Sequence, residues 1–185
     1  MHRRASHRLI LSTIIALVVS RTVCVSAQER QDGNLGDRQA APPVVQIAKG
    51  VLLDPTTYIP AALLFTSMRL DWTSSQPLFQ HGFVEGNARY TTSGLAHDAP
   101  VTYGVGNERI QADALAALGT TLFHNTTNRT IERILVSRFP NHQKILRTIG
   151  WVERSAFASY LSYQLSARHF RQWQANERLA GQLGY

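Results

Sequence analysis

An all-α fold is what this chain points to: a bundle of about four or five helices with one long ordered loop over about residues 76–106. Three observations carry it. Apolar residues recur every three or four positions through most of 44–183, the spacing of one face of a helix. Glycines 82, 86, 94, 104 and 106 and prolines 77 and 100 gather in one stretch, and strand-like alternation is confined to it. The chain has 185 residues, which suits one domain. Its 44% hydrophobic content excludes global disorder and collagen-like repeats. A mean hydropathy of -0.16 argues against a polytopic membrane protein.

The first residues read as a leader. Arg3, Arg4 and Arg8 precede an uncharged apolar run from Leu9 to Ser20, and Val25-Ser26-Ala27 is the small-residue pattern that signal peptidase reads. Residues 1–27 are therefore expected to be a signal peptide, removed after Ala27. The alternative is an uncleaved inner-membrane anchor over 9–27. Cleavage would remove four arginines and Cys24, leaving 15 basic and 12 acidic residues and no thiol. That excludes a disulfide scaffold, a cysteine-based zinc site and a cysteine nucleophile. The expected location is periplasmic or extracellular, which makes nucleic acid a poor partner despite the formal charge of +7.

Residues 28–43 are polar, contain glycine and end in a proline pair, so they read as a flexible tail before a single helical domain over 44–185. A first helix follows from apolar residues at 44, 47, 48, 51 and 52, and Asp54-Pro55 ends or turns it. Thr56 or Thr57 can cap a second helix from about Tyr58 to Trp72, with Pro60 in its first turn. Its centre is apolar nearly all round, so it is buried or touches lipid. The loop follows, its aromatic residues Phe79, Phe83, Tyr90 and Tyr103 arguing for order, with room for a short hairpin near 89–103. Asn107 reads as the cap of a third helical stretch, softened around Asn125–Asn128 and stopped by Pro140. The last stretch, 142–183, carries a stripe of Ile145, Ile149, Val152, Ala156, Tyr160, Tyr163, Ala167 and Phe170 that is expected to face the core.

The densest polar cluster lies where the second helix meets the loop. Asp71, Ser75, His81 and Glu85 are candidate catalytic residues, with His169 two-thirds of the way along the last helix. Asn87, Arg89 and Asn176 are candidate binding residues. His169 and Asn176 lie two turns apart on nearly one face and can meet the Asp71 cluster across a bundle. The bland reading of Asp71 and its serines is that they satisfy backbone groups at a helix end. His81 and Glu85 would share a helical face, but Gly82 and Gly86 work against a helix there, so no metal and no cofactor is expected. There is no nucleophile elbow, P-loop, dinucleotide fingerprint or H-E-x-x-H motif. In the aromatic and basic run 168–176, Phe170 and Trp173 fit the core stripe while Arg168 and Arg171 project elsewhere.

The order Asp71-x-x-Ser74-Ser75, Gly82, Glu85-x-Asn87 after an apolar helix resembles a pattern in small helical membrane proteins of unknown function. Those carry D-x-x-[ST]-[ST] at a helix end and then G-x-x-E-x-N-P. The match covers roughly residues 58–90 and departs at Ala88, where a proline is usual. The resemblance implies a membrane-associated bundle with an interfacial or intramembrane polar cluster, and no particular activity. The functional expectation is an exported protein of the bacterial cell envelope with a binding or structural role, its partner a membrane surface or another envelope protein. The alternatives are a membrane-associated bundle and a hydrolase-like or metal-dependent enzyme around Asp71, His81 and Glu85.

Overall fold

The computed structural model describes residues 43–185, so the expected leader and tail lie outside the described residues. Among the described residues there are four α-helices, α1 (Pro43–Leu52), α2 (Ile59–Gln80), α3 (Tyr103–Arg138) and α4 (Gln143–Leu183), with single 3-10 turns at Pro55–Thr57, Ala88–Tyr90 and Pro140–His142. No strand occurs among the described residues. The fold is an all-α bundle.

α1 and α2 form one broken rod. Asp54 makes the break: its carboxylate accepts from the Thr56 N–H, and Pro55 opens the 3-10 turn. The threonines do not cap α2. Thr57 instead donates to the carbonyl of Val51 at 2.8 Å, closing the end of α1. This rod runs antiparallel to α3, with Gln46 meeting Arg133, Thr57 meeting Thr121 and Trp72 meeting Gly106. α4 runs back antiparallel to α3 and alongside α2, so Arg154 reaches Asp54 and His169 reaches Asp71. The main apolar core is Leu64, Met68, Trp72, Tyr90, Val101, Ile110 and Ala117.

Other expectations are corrected. The loop spans 81–102 rather than 76–106, because both flanking helices are longer. α2 continues through Pro77, whose ring takes one bond out of the ladder. Carbonyls just before the gap are met by side chains: Ser74 and Ser75 both donate to Asp71 O, and Gln76 donates to Trp72 O. α3 starts at Tyr103, with Thr102 rather than Asn107 as its cap. Gly106 therefore lies inside the helix. It is needed there because a Cβ would occupy the Trp72 ring. The loop carries two isolated antiparallel bridges, Glu85 to Asp98 and Thr91 to Pro100.

The other two corrections concern burial. α3 does not soften at Asn125–Asn128. Asn125 is buried and donates to Thr56 and Thr57, so the polar residue that read as a weak point is a crosslink to the rod. The stripe of α4 faces outward. Ile145 is 60% exposed and Tyr163 65%. The buried face is Gly150, Arg154, Ala158, Ser162, Ser166 and Asn176. Small residues let the helices approach closely, and Gly150 leaves room for the Glu132 carboxylate. Arg154, 3% exposed, is held by Asp54, Glu132 and Asn128.

Candidate functional site

One cavity of about 320 Å³ opens where α2, the loop and α4 meet. α2 places Asp71, Ser75 and Phe79 on it, the loop Phe83, Glu85, Asn87 and Tyr90, and α4 Arg168, His169, Gln172 and Asn176. Asp71, Ser75, Glu85, Asn87, His169 and Asn176, singled out in the sequence, line this cavity together.

Asp71 is its hub. His169 Nδ1 lies 2.8 Å from Asp71 Oδ2, and Asn176 Nδ2 lies 3.2 Å from Oδ1. A carboxylate oxygen accepts, so Nδ1 donates and carries a proton, which leaves Nε2 as the other ring nitrogen. No residue among those described bonds to that Nε2. Asn176 is fixed in turn: its amide donates to Ser75 Oγ at 2.8 Å, and its oxygen accepts from Gln172 Nε2 at 2.9 Å. The spacing of α4 produces this. His169, Gln172 and Asn176 stand at steps of three and four residues and share one face.

Glu85 sits at the loop side. Burial raises its pKa above the ordinary carboxylate value, and the negative charge of Asp71 adds to the rise. The N–H of Asn87 donates to its Oε1 at 2.7 Å and opposes the shift. The bond from the His97 N–H to Glu85 O and the bridge to Asp98 hold this backbone in place. The apolar walls come from Met68, Trp72, Leu78, Phe79, Phe83, Val84 and Leu179.

Three expected roles change. His81 is outside the cavity: helix α2 stops one residue before it, its Nδ1 meets Pro77 O, and its ring stacks on Tyr185 at 3.6 Å. Arg89 is also outside. It pairs with Asp113 on α3, which also accepts from the Tyr90 hydroxyl, so it braces the loop. Ser75 spends its proton on Asp71 O and accepts from Asn176, with no imidazole bonded to it, so it lacks the partner a nucleophilic serine needs. In the other direction, Arg168 lines the cavity although it read as surface. Its position one residue before His169 on a helix was the available signal. Among the described residues no group of three or more His, Cys, Asp or Glu is placed to hold a metal ion.

Comparison of the chain with protein-family models, with curated proteins and with solved structures gives no match.

Proposed function

We propose that this is an exported cell-envelope protein whose role is to bind a small organic cation in the Asp71 cavity. One observation carries the binding reading: Asp71, Glu85, His169 and Asn176, up to about a hundred residues apart in the chain, converge on one concave space with an apolar wall. Pockets of a few hundred Å³ with a few placed polar groups are the usual form of small-molecule sites. Two carboxylates, Asp71 and Glu85, line the space with one guanidinium, that of Arg168, and such a lining suits a cationic head. Phe79, Phe83 and Leu179 suit a short apolar body, and aromatic faces also attract cations. The leader pattern of residues 1–27 supports export.

Calorimetric titration with hexylammonium, hexanol and hexanoate tests this reading. Hexylammonium is expected to bind best, and Asp71→Asn to weaken it by about tenfold, the value of one charge-assisted bond of roughly 1.4 kcal/mol. Glu85→Gln serves as a second variant should Asp71→Asn fold poorly. Equal binding of all three probes, or none, would refute the assignment.

A specific feature favours a second reading. Asp71 orients His169 and leaves Nε2 open, which is how a general base is presented. Conversion of a bound amine that is lost in His169→Gln would establish that chemistry.

A further inference from the structure

The end of the bundle far from the cavity is apolar and basic at once. α3 and α4 meet there through the Pro140–His142 turn, and α1 begins beside them, with Arg133 donating to Gln46 and to the carbonyl of Pro43. Val44, Val45, Ile134, Phe139, Ile145 and Ile149 are each more than half exposed at this end. Neither 43–53 nor 133–152 contains an Asp or Glu, while together they hold Lys49, Arg133, Arg138, Lys144 and Arg147. The acids that bracket the second segment are already engaged, Glu132 by Arg154 and Glu153 by Asn128 and His124.

We propose that this end docks on an anionic lipid surface, with the α3–α4 turn seated at the headgroup level. The chemistry is that of an interfacial helix: apolar side chains enter the headgroup–acyl boundary and a ring of cations meets lipid phosphates. Each Lys or Arg at such a surface strengthens binding by about fivefold, so attraction by charge and by apolar burial act together. No helix among those described is long and apolar enough to cross a membrane, so the contact is with one leaflet. A second copy of this chain is the weaker occupant, because bringing two such ends together sets like charge against like charge in a surface without acids. The pocket reading is independent of this assignment.

Vesicle flotation of the full chain tests it, with vesicles of phosphatidylcholine alone and of phosphatidylcholine mixed equally with phosphatidylglycerol. Binding to the mixed vesicles is expected, falling strongly between about 0.1 M and about 1 M salt as the screening length shortens from about 10 Å to about 3 Å. The triple variant R138Q/K144Q/R147Q should weaken it by roughly a hundredfold, as expected for the loss of three cations. Phe139→Ser with Ile145→Ser should lose a similar share at any salt, and circular dichroism checks that the helices persist. Binding that is insensitive to both variants would place the contact in residues 1–42 and overturn the proposal. So would an absence of vesicle binding, or dimerisation through these residues in sedimentation.

Discussion

Gly106 shows how one missing atom sets the position of a helix. A Cβ there would occupy the Trp72 ring, whose Nε1 donates to Tyr103 O in the same turn of α3. Gly106→Ala is expected to cost about 1–3 kcal/mol, the usual penalty of overpacking, read as a lower urea midpoint. Glu85 makes a prediction of opposite sign. Its folded pKa is raised by burial, so the native state holds the extra proton. Stability contributed by that proton is present below the ordinary value of 4.5 and is lost as pH rises through the raised value. Glu85→Gln should therefore flatten the fall in stability above 4.5 relative to the wild type, seen in urea melts across pH. A parallel fall in both proteins would show that Glu85 is not the source.

The helices divide into what periodicity reveals and what it conceals. Position along the chain was legible for α1, because Asp54-Pro55 is a strong local stop. The inward face of α4 was not. Its apolar stripe is real in the sequence, but the tighter packing surface is the small and polar face running from Gly150 to Asn176. Hydropathy assigns such a face to solvent, and only its partners, Asp54 in the break after α1, Glu132 on α3 and Asp71 on α2, show otherwise. Asn125 concealed itself in the same way. The Asp54 network gives the corresponding test. Burial pushes the Asp54 carboxyl up, yet bonds from Thr56 and Arg129 outweigh it and hold its pKa below the ordinary value. Asp54→Asn leaves Arg154 buried without its full complement of charge, and about 3–5 kcal/mol of destabilisation is expected. Because the wild-type carboxylate is stabilised by folding, that loss should shrink as pH falls below about 4. A variant as stable as the wild type at neutral pH would contradict this account of the network.

The whole bundle brings together what no segment holds alone. The convergence of Asp71 with His169 and Asn176 was readable in outline, since helical spacing put the last two on one face and the only question was what that face met. The exclusion of His81 was not readable. It depends on α2 passing through Pro77 and ending just before the histidine, with Tyr185 from the far end of the chain stacked on it. The two ends of the molecule then carry different surfaces, a cavity with two carboxylates at one and an apolar, acid-free turn at the other.

The cavity is tested most directly by the imidazole nitrogen spectrum of the histidines, recorded with and without hexylammonium. In the free protein, the Nδ1 of His169 should carry a proton, as its bond to Asp71 requires. Adding the amine should move the His169 signals and leave those of His81 in place. Signals of His81 moving while His169 stays fixed would contradict the assignment of the site to Asp71, Glu85, His169 and Asn176.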